Sequence, residues 1–162
     1  WNAEQIAAAL KIQDQKGYYR FISSQPQYSM LWRVIESQVV PLSDKEGIGQ
    51  IVWSPIAQGV LTGKYRSGLP SDSRGASPHF SSFIEPYLDE RSRKIVEAVM
   101  VASDGLGLSP LEVSLAWVRD CPGVTSAVIG ARTGAQLRGA LSAESVTLPI
   151  PVREALDEIS AN

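Results

Sequence analysis

The sequence predicts an α/β fold in which short parallel strands are joined by helices. Three segments with apolar or β-branched residues, at residues 20–24, 49–53 and 125–129, are the predicted strands. Segments with helical periodicity separate them, and strands separated by helices are usually parallel with right-handed crossovers. A sheet of three parallel strands leaves both edges bare, so we expect the chain to be part of a larger parallel structure.

Local signals set the bounds of the first elements. The predicted order is a helix over residues 2–16, a strand over 20–24, a helix over 39–46 and a strand over 49–53. Ile6 and Leu10 are spaced to share one face of the first helix. Gly17 and Gly47 follow the two helices, where a glycine in the left-handed conformation commonly ends a helix. Pro26 ends the first strand because it has no N–H to donate to a sheet.

A long loop is predicted after the second strand. Residues 54–82 contain repeated Gly and Pro residues and no sustained periodicity. A connection that only reverses the chain is much shorter. The loop begins beside a flat aromatic, Trp53, and reaches its first cation at Lys64. We therefore expect it to hold a large, planar, anionic ligand through backbone N–H groups.

Capping signals define the remaining elements. They are a helix over residues 86–103, a helix starting at Ser109, a strand over 125–129, and helices over 133–141 and 152–160. Ser109 opens its helix with a capping box, and Thr133 with Gln136 predicts a second one. In the last helix, Leu156 and Ile159 are predicted to face inward.

Composition limits the classes of function. The 162 residues, 44% of them hydrophobic, suffice for one sizeable core, and we expect a single partial domain over residues 1–162. A net charge of −2 gives no electrostatic basis for binding nucleic acid or an anionic membrane. One cysteine excludes an internal disulfide and predicts a reducing, cytoplasmic setting. No apolar run is long enough for a membrane helix, and a first residue of Trp1 predicts a fragment, a processed chain or a truncated sequence.

Candidate ligand-binding residues follow the predicted strands, because ligands of parallel α/β folds bind at the carboxyl ends of strands. Gln25 follows the first strand, and its amide can both donate and accept hydrogen bonds. Trp53 ends the second strand. The third leads through Gly130 and Arg132 into a helix N-terminus, which is a ready phosphate site. This combination indicates a nicotinamide dinucleotide bound in an extended form.

Each of these residues also has an ordinary structural explanation. A lone Trp53 is more often a core residue than a stacking platform. Gln25 is more often a strand-end cap, and Lys64 and Arg74 are usually solvated loop charges. Arg132 before a helix is the most specific of these signals. The sequence alone leaves the structural and the functional explanations open.

Four segments carry a family resemblance. They are FISSQPQYSMLWR, GIGQIVWSPIAQGVLTGKY, SPLEVSLAWV and VIGARTGAQLRGAL, and they span nearly the whole chain. They resemble the C-terminal half of an aldo-keto reductase, of the long-chain branch that includes potassium-channel beta subunits. The resemblance implies a TIM (β/α)8 barrel, with this chain supplying parallel strands six to eight and their helices. It also implies NADP(H) bound across the strand ends.

The resemblance implies a role for each matching residue. Gln25 would hold the nicotinamide carboxamide, and Trp53 would stack on the nicotinamide ring. The pyrophosphate would be lined by Ser54, Pro55, Ile56, Ala57, Gly59 and Lys64. Arg74 lies in a long loop, residues 64–86, that would fold over the cofactor. The adenosine 2′-phosphate would be bound by Gly130, Arg132 and Gln136.

The resemblance also implies that the catalytic residues lie outside this chain. The family's proton-donating Tyr and its Lys, Asp and His partners lie on the first four strands, upstream of Trp1. His79, the one histidine, lies in the predicted loop and does not match the family's position. We therefore expect the cofactor-binding half of an NADP(H)-dependent oxidoreductase that acts on a small aldehyde or ketone. This chain alone is expected to be inactive.

Two alternatives to the enzyme remain open. One is a nucleotide-sensing or regulatory interaction module, and the other is a half-barrel that pairs with itself and has no activity. In each case the bare sheet edges predict association, either with the missing N-terminal half or with a second copy of the chain. We therefore expect an oligomer.

Overall fold

The computed structural model describes residues 1–161, in which helices are interspersed along the chain with the three strands of one sheet. The elements are α1 Ala3–Lys16, β1 Ser23–Ser24, α2 Val39–Glu46, β2 Gly49–Trp53, α3 Glu90–Leu106, α4 Pro110–Arg119, β3 Val124–Val128, α5 Gly134–Leu141 and α6 Ile150–Ser160. Short 3₁₀ helices fill much of the connection from β2 to α3, at Ala57–Thr62, Arg74–Ala76, Ser81–Phe83 and Glu85–Tyr87. No helix within residues 1–161 has the length and apolar character needed to cross a membrane.

The sheet has the order β1-β2-β3, and all its strands are parallel, as the sequence predicts. Ser24 is paired with Gln50, and Trp53 with Val128. The carboxyl ends of β2 and β3 therefore lie side by side at one end of the sheet. Most of the predicted binding residues come together at this end.

The first strand is shorter than predicted. Only Ser23–Ser24 forms regular strand, so the predicted strand over residues 20–24 is wrong for its first three residues. Arg20 instead turns to α2, where its guanidinium lies 2.6 Å from the Glu46 carboxylate. Pairing with β2 resumes beyond the strand, because the Pro26 carbonyl accepts the Trp53 N–H at 3.0 Å.

Side-chain caps set the helix starts. The capping box of α4 is confirmed, since Ser109 accepts the Glu112 N–H at 3.2 Å while the Glu112 carboxylate accepts the Ser109 N–H at 2.7 Å. The predicted helix over residues 86–103 is displaced. It begins at Glu90, because Asp89 caps the N–H of Ser92 at 2.7 Å, and Pro86 belongs to the preceding 3₁₀ turn.

The third predicted strand and the last predicted helix are shifted by one or two residues. Strand β3 covers Val124–Val128, one residue earlier than predicted, and α6 begins at Ile150. Leu156 is buried as predicted, but Ile159 is 43% exposed. The prediction for Ile159 is wrong because the buried face of α6 continues through Ser160, whose hydroxyl donates to the Leu156 carbonyl at 2.6 Å.

Trp117 on α4 lies at the centre of the core and has no exposed surface. The Tyr28 ring stacks on it, with the two ring centroids 5.6 Å apart. The Arg33 guanidinium lies 5.2 Å from the indole centroid, within the range of a cation–π contact. The indole N–H donates to the Asp157 carboxylate at 2.9 Å. One side chain therefore joins the segment after β1, helix α4 and helix α6.

Arg33 provides the second link to α6. Its guanidinium donates to the Asp157 carbonyl at 2.7 Å and to the Ser160 hydroxyl at 2.8 Å. It also makes two hydrogen bonds to the Glu36 carboxylate, at 2.7 and 3.0 Å. Hydrogen bonds that involve a charged group are the stronger ones in proteins. Arg33 therefore holds α6 against the segment that follows β1.

A neutral, buried pair of ionisable groups lies beside this network. The Tyr28 hydroxyl donates to the Glu36 carboxylate and lies 3.3 Å from the Cys121 sulfur. Burial raises the pKa of the Cys121 thiol to about 11. Burial, together with the neighbouring Cys121 and Glu36, also raises the pKa of Tyr28. Both side chains are therefore uncharged in the folded protein near neutral pH.

We expect the free energy of unfolding to fall as the pH rises from about 9 to about 11. In this range the folded protein keeps the Cys121 proton while the unfolded chain loses it, so the folded state binds more protons and stability decreases with pH. Cys121→Ala should remove a share of the fall on the order of 2 kcal/mol, measured by urea unfolding across this range. The part of the Tyr28 share that comes from burial and from Glu36 remains in both proteins. Equal pH dependence in the wild type and the variant would contradict the assignment.

Candidate functional site

A cavity of about 900 Å³ lies at the carboxyl ends of β2 and β3, and we call it the strand-end cavity. Its walls come from the segment after β2, from the loop before α3, from helix α4, and from the turn between β3 and α5. The lining residues include Trp53, Ser54, Pro55, Ile56, Gln58, Gly59, Thr62, Lys64, Asp72, Arg74, Phe80, Leu111, Leu115, Gly130, Arg132, Gln136 and Ala140. Its volume lies near the upper end of the range for ligand pockets, about 300–1,000 Å³.

The backbone after β2 turns with an unusual conformation. Ser54, Ala57 and Gln58 have φ values of 55°, 47° and 59°, and they are the non-glycine residues with positive φ within residues 1–161. Such conformations cost on the order of 1 kcal/mol each and persist only where the surroundings enforce them. Here Ala57 is fully buried, and its N–H donates to the Ser54 carbonyl at 2.9 Å. Strain of this kind, concentrated in one cavity wall, is typical of functional sites.

Gly59 and Lys64 form a close pair in this wall. A Cβ atom at Gly59 would lie 2.8 Å from both Cε and Nζ of Lys64, so the absence of a side chain lets the lysine lie across the glycine. The φ of Gly59 is +94°, which also favours glycine. The Lys64 ammonium lies 5.0 Å from the centre of the Tyr65 ring. Within residues 1–161 it has no acidic partner, so its charge is available to a ligand.

Arg74 links the long loop to the segment after β2. Its guanidinium donates to the side-chain oxygen of Gln58, and the Gln58 amide nitrogen donates to the Ser54 hydroxyl at 2.5 Å. Gln58 was not among the predicted site residues. Its role depends on a contact between residues 16 positions apart, which no local pattern in the sequence reveals.

The opposite wall is the start of α5. Thr133 accepts the Gln136 N–H at 3.2 Å, so the predicted cap is present. The Gln136 side chain does not complete a capping box, because its oxygen accepts the Arg132 N–H at 2.7 Å instead. The Arg132 guanidinium contacts the Asp72 carbonyl at 3.4 Å and so bridges to the long loop. The helix dipole and this guanidinium make the wall electropositive.

Most of the predicted site residues gather in this cavity, and two do not. Trp53 is 39% exposed and lines the wall, so its side chain is not a core residue. Gln25 is exposed at the end of β1 and lies outside the lining, and Ala57 is fully buried behind it. The other predicted residues line the cavity, namely Ser54, Pro55, Ile56, Gly59, Lys64, Arg74, Gly130, Arg132 and Gln136.

Comparison with known proteins identifies the family. The sequence profile of the aldo/keto reductase family matches residues 1–161. The chain belongs to the aldo/keto reductase family. A probable voltage-gated potassium channel subunit beta from Arabidopsis thaliana is 34% identical over 161 residues, which cover 98% of this chain and 49% of the relative. Membership in the aldo/keto reductase family confirms the resemblance seen in the sequence.

Other relatives are also much longer than the part that this chain matches. A probable voltage-gated potassium channel subunit beta from Oryza sativa subsp. japonica is 35% identical over 164 residues, which cover 99% of this chain and 49% of the relative. A putative aryl-alcohol dehydrogenase from Saccharomyces cerevisiae is 32% identical over 137 residues, covering 83% of this chain and 38% of the relative. The chain spans about half the length of the channel-subunit relatives it matches.

The cavity offers binding groups and few groups for acid–base chemistry. Within residues 1–161 neither tyrosine nor histidine lines it, and Asp72 is the acidic residue among the lining groups. His79 is exposed in the long loop and lies outside the lining. The cations around the cavity are Lys64, Arg74 and Arg132. The arrangement can hold an anionic ligand with a planar part, and it contains no tyrosine to protonate a carbonyl oxygen.

Gly59→Ala should weaken anion binding in the strand-end cavity. The added methyl group must displace the Lys64 ammonium, so we expect the Kd for inorganic pyrophosphate to rise roughly threefold or more by calorimetric titration. Gly47→Ala is the matched control, because Gly47 also has a positive φ but no atom within 4 Å of an added Cβ. Both variants should lose similar stability. Equal pyrophosphate affinity in the two variants would show that the Gly59–Lys64 contact does not shape the site.

Proposed function

We propose that this chain is the NADP(H)-binding part of an aldo-keto reductase that transfers hydride between NADPH and a small aldehyde or ketone. The observation that carries the proposal is the strand-end cavity, in which an exposed aromatic face and three cations converge at the ends of adjacent parallel strands. Family membership supports the oxidoreductase chemistry, and the cavity supports binding of the cofactor.

The residues present fit a nicotinamide dinucleotide phosphate. Trp53 offers an exposed aromatic face for the nicotinamide ring. The glycine at position 59 and the ammonium of Lys64 suit a pyrophosphate, which needs close backbone approach and positive charge. The α5 N-terminus with Arg132 suits the 2′-phosphate. Bound there, the cofactor supplies a hydride to an electrophilic carbon.

The chain's own residues orient the ligand and limit its exposure to water. Arg74 holds the loop of residues 64–86 to Gln58, and Arg132 meets the same loop at Asp72, so both contacts close the cavity from outside. Gln25 lies at the end of β1, and Gln27 nearby is bridged to Trp53. We therefore assign Gln25 the role of binding the nicotinamide carboxamide from the β1 side of Trp53. The group that protonates the substrate oxygen would come from outside this chain.

The proposed complete fold is a (β/α)8 barrel in which β1, β2 and β3 are strands six to eight. Within residues 1–161 the outer edges of β1 and β3 are unpaired. Bare parallel edges are normally paired or covered. The similar proteins are about twice as long as this chain, which supports a further set of strands that would fill the gap. We propose that an N-terminal half, or a second copy of the chain, covers these edges.

Cofactor titrations test the binding assignment. Arg132→Ala should weaken NADPH on the order of tenfold and leave NADH nearly unchanged, because only NADPH carries the 2′-phosphate. Trp53→Ala and Lys64→Ala should weaken both cofactors by similar factors. Arg138→Ala is the matched control, since Arg138 is exposed on α5 and does not line the cavity. Cofactor fluorescence gives the NADPH and NADH affinities of the wild type and of the four variants. Equal loss of NADPH and NADH in Arg132→Ala would refute the 2′-phosphate assignment.

Sedimentation velocity tests the proposed assembly. The chain at low micromolar concentration should sediment as a dimer, a larger assembly or a complex. Ile22 is 81% exposed beside β1, so Ile22→Lys should weaken association through its charge at the edge. Ile12→Lys is the matched control, because Ile12 is exposed on α1, away from the strand. A folded wild-type monomer would contradict the proposal.

A further inference from the structure

A second cavity lies between the start of the long loop and helix α3, and we call it the α3 cavity. It has a volume of about 250 Å³ and shares no lining residue with the strand-end cavity. Val60 and Val96 are almost completely buried and form its floor, and Tyr65, Leu88 and Tyr87 complete the apolar wall. This volume lies slightly below the usual range for ligand pockets, so it suits a ligand with a single ring.

One uncompensated cation lies at the rim of the α3 cavity. Arg66 and Glu97 also line it, but they form a two-point ion pair with contacts of 2.7 and 2.6 Å and so neutralise each other. Arg93 has no ion pair or side-chain hydrogen bond within residues 1–161. Tyr65 and Tyr87 are the other ionisable groups of the lining, and burial raises the pKa of Tyr87, which keeps it neutral. The cavity therefore combines an apolar interior with one free guanidinium.

We propose that the α3 cavity binds a small aromatic carboxylate. The ring would lie among the valine and tyrosine side chains, and the carboxylate would bind Arg93, whose planar guanidinium suits this geometry. A larger anion such as a nucleotide does not fit this volume. The site needs no cofactor in the strand-end cavity and does not rest on the proposed oxidoreductase function.

Tyr65 connects the α3 cavity to the long loop. Its ring lines the α3 cavity, while its hydroxyl accepts the Gly75 N–H at 3.3 Å. The Lys64 ammonium lies over the same ring, at 5.0 Å. A ligand that packs against this ring therefore restrains a side chain that holds the loop beside Arg74. We infer that occupation of the α3 cavity stabilises the closed position of the loop.

Benzoate is the probe for the site itself. We expect benzoate to bind with a Kd of about 1 mM, measured from NMR chemical-shift changes, because so small a ligand gains limited binding free energy. Arg93→Ala should weaken benzoate about fivefold, and neutral benzamide should bind the wild type more weakly by a similar factor. Lys94→Ala is the matched control, since Lys94 is next to Arg93 on α3 but pairs with Glu90 at 2.9 Å.

Several results would overturn the carboxylate site. Unchanged affinity in Arg93→Ala would do so, as would benzamide binding as tightly as benzoate. Val96→Phe fills the cavity and should abolish binding, and benzoate that still binds this folded variant must occupy another site. Should that variant fail to fold, Arg93→Ala still decides, because Arg93 is exposed and its loss leaves the core intact.

Amide hydrogen exchange tests the link through Tyr65. Saturating benzoate should slow exchange of the Gly75 N–H about threefold or more in the wild type, since this N–H donates to the restrained tyrosine hydroxyl. In Tyr65→Phe the hydroxyl is absent, and benzoate should bind without slowing this exchange. Slowing that persists in Tyr65→Phe, or no slowing in the wild type, would overturn the link.

Discussion

The left-handed backbone turn after β2 is the constraint on which the strand-end cavity depends. Positive φ values at Ser54, Ala57 and Gln58 fold the chain back on itself within a few residues of the sheet. The buried Ala57 and the fully buried Leu61 anchor this turn, so the conformation is enforced by packing. As a result Trp53 stays in the cavity wall, Lys64 lies across Gly59, and Gln58 is placed to hold Arg74. The positions of several binding residues thus depend on the conformation of this one turn.

The local charge around the cavity differs in sign from the charge of the whole chain. The net charge is −2, yet within residues 1–161 the cavity is lined by three cations and one acidic residue. The single acidic residue, Asp72, meets Arg132 through its backbone carbonyl. The electrostatic field in the cavity therefore attracts anions, although the whole chain carries a net negative charge. Net charge excludes broad classes of polyanion partner, but it does not describe a small enclosed site.

Elements defined by adjacent residues could be predicted from the sequence, and those defined by distant contacts could not. The predicted bounds of α2 and β2 are correct, and α2 ends where predicted because Gly47 adopts the left-handed conformation that ends a helix. The first strand was predicted too long because Arg20 is recruited by α2, which no local pattern shows. In the site, the resemblance and the strand ends located Trp53 and Lys64. Gln58 and Asp72 were missed because their roles arise only when the long loop folds back across the cavity.

The attachment of α6 through Arg33 has a consequence for the order in which the protein folds. Arg33 and Ser160 are separated by 127 positions, so the core around Trp117 is closed by a segment synthesised long after Arg33. At ribosomal rates of several residues per second, on the order of 10 s pass between the two ends of this contact. Until then Arg33 lacks its α6 partners and Trp117 lacks Asp157. The apolar surface around Trp117 is therefore incompletely covered on the nascent chain until α6 has been synthesised, and exposed apolar surface of this kind promotes aggregation.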